Sequence, residues 1–139
     1  MTTIRITSYG TGHHDDPGAY NPVVVDTTTL HNPPDDPKVR ATLTQLTGLD
    51  PAVAAYVLAT PGADKLIATA LRRIEHRIAT RQNIIHVHVH CYGGRHRSVA
   101  IAEHLAADLR LLENDVRVTH RHINKPFLRS RLKAITGRR

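Results

Sequence analysis

The sequence predicts an α/β fold: one small domain with a parallel or mixed sheet of about four strands and flanking helices. Three observations predict it. Short β-branched runs alternate with runs of helical period along the 139-residue chain. One strand-like run, Asn83 to Val89, passes through a glycine-rich turn straight into a helical run, Val99 to Leu112. The length suits a single domain that buries one core without staples.

The elements follow in order. Ile4 to Ser8 alternates and is β-branched, which predicts a first strand. Tyr9 to Asn21, rich in Gly, His, Asp and Pro, reads as a loop. Val23 to Thr28 is a second strand, with Asp26 near its carboxyl end. Leu30 to Pro37 holds three prolines and is irregular. Val39 to Leu46 has the composition of a short helix. Asp50 then caps a helix over Ala52 to Thr60, with Pro51 at its first position. Leu66, Ile67, Ala70, Leu71, Ile74 and Ile78 give Gly62 to Arg81 a helical period. Ile84 to Val89 is a third strand, Ser98 to Leu112 a helix, and Val116 to Ile123 a fourth strand. Pro126 to Ile135 reads as a basic helical tail. The third strand, its helix and the fourth strand form a βαβ unit, so these two strands are expected to pair in parallel.

Composition narrows the function. Hydrophobic residues make up 40%, enough to fold. Aromatics are only 4% and Trp is absent, so the core is expected to be Ile, Val, Leu and Ala. A single Cys excludes a disulfide framework within the chain. No run is apolar enough to span a bilayer, and Met1 to Arg5 lacks signal-peptide character, so no membrane partner and a cytoplasmic location are expected. The net charge of +7 favours an anionic partner: a nucleotide, a sugar phosphate or RNA. The bases gather at the C-terminus, where Arg129, Arg131, Lys133, Arg138 and Arg139 face no acid.

The richest stretch is His90 to Ser98. A glycine turn that leaves a strand and opens a helix presents unpaired amides to an anion. Gly93 and Gly94 allow close approach and positive φ. Arg95 and Arg97 add charge and bidentate geometry. His96 is a donor that protonation can switch, and Ser98 can cap the helix or bond a phosphate oxygen. Cys91 sits where a thiolate is stabilised. The plain alternative is an ordinary strand–turn–helix joint with exposed bases.

These residues also carry a resemblance. The run Gly93-Gly94-Arg95-His96-Arg97-Ser98-Val99-Ala100-Ile101-Ala102-Glu103, with Cys91 before it, resembles the signature of the RapZ C-terminal domain family, the RNase adapter proteins. Four further stretches agree in order: Val25-Asp26 leading to Leu30-His31-Asn32-Pro33, Leu46-Thr47-Gly48-Leu49-Asp50, Val53-Ala54-Ala55-Tyr56-Val57, and His120-Arg121. The likeness runs from Ser8 to Lys125 and is to the C-terminal half of that family, without its kinase-like half. It implies a stand-alone regulatory domain over residues 1–125 with a basic tail over 126–139. It further implies a phosphorylated ligand such as glucosamine-6-phosphate, contact with RNA through the tail, and a homo-oligomer. By motif, the implied ligand residues are Asp26, Asn32, Cys91, Tyr92, Gly93, Gly94, Arg95, His96, Arg97 and Ser98. No cofactor, no metal and no catalytic residue are expected. This chain departs from the family by His90 and Tyr92 around the Cys, by Asp26-Thr27-Thr28 in place of Asp-Val-Arg, and by histidines along the third strand.

Two other readings stay open. Cys91 and Arg97 have the spacing of the cysteine-dependent phosphatase loop, in which the thiolate attacks phosphorus. A general acid for the leaving group would come from Asp15, Asp16, Asp35 or Asp36. The histidines His86, His88 and His90 share one strand face, and His120 and His122 repeat the spacing on what is expected to be the neighbouring strand. Two such histidines can share a Zn²⁺, although ordinary, partly buried histidines explain them as well.

Overall fold

The computed structural model describes residues 2–30, 45–126 and 128. Its elements are β1 (Thr3–Gly10), a single 3₁₀ turn (Thr11–His13), β2 (Val23–Asp26), α1 (Pro51–Leu58), α2 (Ala63–Ala79), β3 (Ile84–Cys91), α3 (Arg97–Leu111) and β4 (Asp115–His120). The four strands form one sheet in the order β2-β3-β1-β4. Every pairing is parallel. The α/β class read from the sequence is the class observed.

Strand alternation decides which face the helices cover. Ile4 and Ile6 of β1 align with Ile85 and Val87 of β3, and with Val116 and Val118 of β4. Val23 and Val25 of β2 align with Val87 and Val89. This one face packs against Ile101, Leu105 and Leu109 of α3, Ile67 and Ile74 of α2, and Val53 and Val57 of α1. The opposite parity carries Arg5, Thr7, Tyr9, His86, His88, His90, Arg117 and Thr119. Of these only Tyr9 and His88 are buried. Parallel sheets are usually covered on both faces; among the described residues, this one has helices on one face only. Asp16 acts electrostatically on both Tyr9 and His88, so the β1–β2 connection passes on the helix-free side.

The structure corrects the expected pairing of the third and fourth strands. β3 and β4 are parallel but not adjacent, because β1 lies between them. Ile4 and Ile6 are both fully or nearly fully buried, which suits β1 to the interior of the sheet. β4, with Arg117 and Thr119 exposed, takes an edge. β3 also runs two residues further than the alternation suggested, since Tyr9 and Gly10 give His90 and Cys91 ladder partners. β4 ends at His120, not Ile123; the amide of Arg121 reaches the Ser8 carbonyl and the chain then turns. The helix expected over Val39 to Leu46 lies outside the described residues except for Gln45 and Leu46, which are not helical. The tail helix likewise falls outside them, apart from Pro126 and Leu128, also non-helical.

Two local devices hold the outer elements. Asp50 accepts a hydrogen bond from the Ala52 amide at 2.9 Å and caps α1, with Pro51 at the first turn. On the open edge of β2, Arg73 donates to the Val24 carbonyl at 2.6 Å and Arg77 to the Asn21 carbonyl at 2.7 Å. The α2 arginines thereby occupy acceptors that another strand could otherwise use.

The packing separates two leucines of the same helix. Leu105 is fully buried under the sheet, whereas Leu111 is 82% exposed. Leu105→Ala should cost about 2–5 kcal/mol and Leu111→Ala no more than about 0.5 kcal/mol. Urea denaturation followed by circular dichroism checks this; similar midpoints for the two variants would contradict the packing.

Candidate functional site

The site grows from the end of β3. The chain leaves at Cys91, turns through Gly93 and Gly94, and enters α3 at Arg97. His96, the N-cap, makes no side-chain cap hydrogen bond, and the first turn of α3 holds no acid. The first-turn amides therefore lack intrahelical partners and face outward from a helix of 15 residues. Gly94 takes φ 74°, a conformation that glycine adopts without strain. The turn is also pressed onto β1. A Cβ on Gly10 would lie 2.4 Å from the Gly93 carbonyl carbon, and one on Gly94 would lie 2.5 Å from the Gly10 nitrogen. The connection after β1 leaves on the helix-free side and the one after β3 on the helical side. Such a switch point, beyond the carboxyl ends of the strands, is where open α/β sheets bind ligands.

The predicted ligand residues fall into three groups. Cys91, Gly94 and Ser98 close the inside of the loop. The Gly94 amide donates to Cys91 Sγ at 3.2 Å, and Sγ lies 3.1 Å from Ser98 Oγ. Cys91 and Ser98 are both buried. Tyr92 flanks the loop: a Cβ on Gly12 would meet its ring at 2.8 Å, and its carbonyl accepts from the Gly12 amide. Arg95, His96 and Arg97 strap the loop to its surroundings. Arg95 donates to the Lys125 and Leu46 carbonyls. The Nε2 of His96 lies 2.8 Å from the Leu46 carbonyl. Arg97 is buried and spends Nη1 on the Thr28 and Leu30 carbonyls, both at 3.1 Å. Among the described residues its Nε and Nη2 are not engaged, so part of its fork is available.

Asp26 stands opposite, half-exposed at the end of β2. Its Oδ1 accepts from the Thr28 amide and hydroxyl at 2.8 and 2.6 Å. Partial burial pushes its carboxyl up, but the Thr28 hydrogen bonds, with His90 and Arg97 nearby, hold it below the ordinary value. It is therefore an anion positioned to accept from hydroxyls. Asn32, Arg129, Arg131, Lys133, Arg138 and Arg139 lie outside the described residues, as do Asp35 and Asp36. Leu128 does reach the loop: it lies 3.9 Å from where a Cβ on Gly93 would be and 3.0 Å from one on Gly12.

Sequence reasoning missed a second group, on the β1–β4 side of the loop. His122 is completely buried. Its Nδ1 accepts from the Gly10 amide at 2.9 Å and its Nε2 lies 3.1 Å from Asp15. Arg121 grips the same carboxylate through Nε and Nη2. The ring of His13 lies 4.6 Å from that of His122 and its Nε2 lies 3.0 Å from the Gly93 carbonyl. Beneath them runs a chain from Ser8 Oγ to His120 Nδ1 at 2.6 Å and from His120 Nε2 to Glu103 at 2.9 Å. The run His120-Arg121-His122 is visible in the sequence, where its spacing fits ordinary, partly buried histidines as well as a shared metal ion, but nothing local ties it to Gly10 or Asp15.

The histidines do not converge as that reading required. His86, His88 and His90 do share the helix-free face. His120, however, takes the opposite face in register with Ser8, and His122 has left the strand. No group of three metal-ligating side chains occurs among the described residues. An open groove of about 330 Å³ lies elsewhere, between β2 and α2, lined by Val24, Asp26, Lys65, Thr69 and Arg73 among others. Among the described residues, Asp26 is the one candidate ligand residue on its rim.

Comparison with known proteins places these residues in context. A family model described as the RapZ C-terminal domain matches residues 2–124. A "nucleotide-binding protein" of Paramagnetospirillum magneticum is 38% identical over 107 residues, covering 74% of this chain and 34% of the relative. One of Frankia alni is 42% identical over 83 residues, covering 57% of this chain and 29% of the relative. One of Limosilactobacillus fermentum is 36% identical over 107 residues, covering 74% and 36%. The chain thus spans about a third of the length of these relatives. No helix of the described residues is long and apolar enough to cross a membrane.

The Asp15 cluster makes the stability of this end of the molecule pH-dependent. Hydrogen bonds from Arg121, then from His122, hold the Asp15 carboxyl at about 2, below its ordinary 3.8. A depressed carboxyl stabilises the fold above its unfolded value, and that contribution is lost as pH falls from about 4 towards 2. Asp15→Asn should therefore be less stable than wild type at pH 6 and converge with it near pH 2. Thermal melts across that range check the sign; a gap that widens with acid would contradict it.

Proposed function

The chain belongs to the RapZ C-terminal domain family, and from that premise we propose that it is a regulatory binding module holding a phosphorylated small molecule at Cys91–Ser98. The uncapped, acid-free N-terminus of α3, fed by a glycine turn pressed onto Gly10, carries the reading. The loop amides and the free part of the Arg97 fork take the phosphate oxygens, as does Ser98. Asp26 accepts from sugar hydroxyls on the opposite wall, with Asn32 as its proposed partner. Tyr92, Arg95 and His96 shape the loop, the last two by tying it to Leu46. A sugar phosphate such as glucosamine-6-phosphate and a nucleotide both present this chemistry. The tail over 126–139, with Arg129, Arg131, Lys133, Arg138 and Arg139, is the proposed RNA contact of an oligomeric regulator. Such contact rests on phosphates and falls steeply with salt.

Calorimetry with glucosamine-6-phosphate, inorganic phosphate and ATP tests the ligand. At least one should bind at millimolar concentration or tighter, and Arg97→Ala should weaken it by roughly tenfold or more. A melting curve establishes that the variant folds, because Nη1 of Arg97 also holds two carbonyls. No binding, or equal binding by the folded variant, would sink the proposal.

One observation favours a second reading, a cysteine-dependent phosphatase. The Gly94 amide points at Cys91 Sγ, as it would at a stabilised thiolate. The general acid is the weak part. Asp15, held at about 2 by Arg121 and His122, has no proton to give near neutrality. We therefore expect no appreciable hydrolysis of an aryl phosphate between pH 5 and 7; turnover that vanishes in Cys91→Ser would reverse the ranking.

A further inference from the structure

We infer that His122 positions the Gly93–Gly94 turn and couples anion binding there to the protonation of its own imidazole. The coupling rests on the reading of the turn as an anion cradle; the positioning does not.

The geometry begins at a fully buried ring. An amide N–H can only donate, so the Gly10 amide at 2.9 Å requires a bare Nδ1 on His122. The ring proton is then on Nε2, facing Asp15 at 3.1 Å. The turn packs on the same Gly10 backbone: an added Cβ on Gly94 would lie 2.5 Å from that same nitrogen. Gly10 is thus held between the imidazole and the turn. A proton on Nδ1 sets N–H against N–H, the bond is lost, and the ring and Gly10 must separate. The turn packed on the Gly10 backbone is then displaced with it.

The surrounding charges leave this contact as the sensitive one. From the connection after β1, Asp15 faces Nε2, but its carboxylate is shared with Arg121. From the 3₁₀ turn, His13 stacks at 4.6 Å and links to the Gly93 carbonyl. Burial, more than its hydrogen bond to Gly93, dominates at His13 and lowers its pKa, with His122 and Lys125 adding in the same direction. Lys125 and Arg121 come from the same turn as His122. His120 is engaged elsewhere, with Ser8 and Glu103. A second positive ring in this stack would meet Arg121, Lys125 and His13 with one shared carboxylate to offset them.

The sign of the effect is diagnostic. Added positive charge near a cradle ordinarily strengthens anion binding as pH falls. Protonation of His122 does the reverse, because it displaces the amides that make the cradle.

Inorganic sulfate is the probe, since it keeps its charge between pH 5.5 and 7.5. Calorimetry on the full chain at constant ionic strength should show binding weaken roughly tenfold once the His122 ring carries its second proton, the worth of one buried hydrogen bond. His122→Asn, whose amide oxygen can accept from Gly10 at either pH, should not weaken. Nuclear magnetic resonance of the ligand-free wild type supplies a second readout. The Gly10, Gly93 and Gly94 amide signals should move with the midpoint of the His122 ring. Sulfate bound equally or more tightly by wild type with the ring doubly protonated would overturn the coupling. Glycine amides that stay fixed while the ring titrates would overturn the positioning role, and a ring that never gains the second proton would overturn the coupling. If the amides follow His122 but sulfate binds at neither pH, the anion-cradle reading fails and the positioning role stands.

Discussion

Backbone-to-backbone contact between Gly10 and the Gly93–Gly94 turn is the constraint on which the rest depends. Two strand ends meet there with no side chain between them, and a Cβ on either Gly10 or Gly94 would sit within 2.5 Å of main-chain atoms. That contact sets where the loop crosses the top of the sheet and how α3 enters it. It also brings the Gly10 amide against His122 on one side and the Cys91 thiol against Ser98 on the other. The shape of the loop follows from this placement.

The straps around the loop have the same logic. Arg95, His96 and Arg97 look in the sequence like three cations for a phosphate. In the fold they reach the carbonyls of Leu46, Lys125, Thr28 and Leu30. Main-chain carbonyls outside helices and strands still need donors, and charged donors give the stronger bonds. The cations thus fasten the β2 turn and the 45–48 segment to the loop, while Nε and Nη2 of Arg97 are not engaged among the described residues. Gly48 repeats the close approach, since a Cβ there would lie 2.4 Å from the His96 carbonyl.

How much of this was legible follows from the kind of interaction. The α/β class, the Asp50-Pro51 helix start and the loop at Cys91–Ser98 rest on local periodicity and turn chemistry, which sequence displays directly. The central place of β1 was not legible, because strand order depends on which strand is buried on both edges. His90 and Cys91 read as loop residues, yet they belong to β3 since Tyr9 and Gly10 pair with them across 81 positions of chain. The His122–Gly10–Asp15 group was invisible for the same reason. Its members are more than a hundred residues apart, and a buried histidine bonded to a main-chain amide leaves no local pattern.

The central claim is that phosphate is held by the amides of Gly93 to Ser98. A crystal structure of the protein with glucosamine-6-phosphate or inorganic phosphate tests it most directly. The account predicts the phosphorus against the first turn of α3, with Arg97 Nη2 or Nε and Ser98 Oγ within hydrogen-bond reach of its oxygens. Phosphate found instead in the groove between β2 and α2, against Lys65 and Arg73, with the Gly93–Gly94 turn empty, would contradict it.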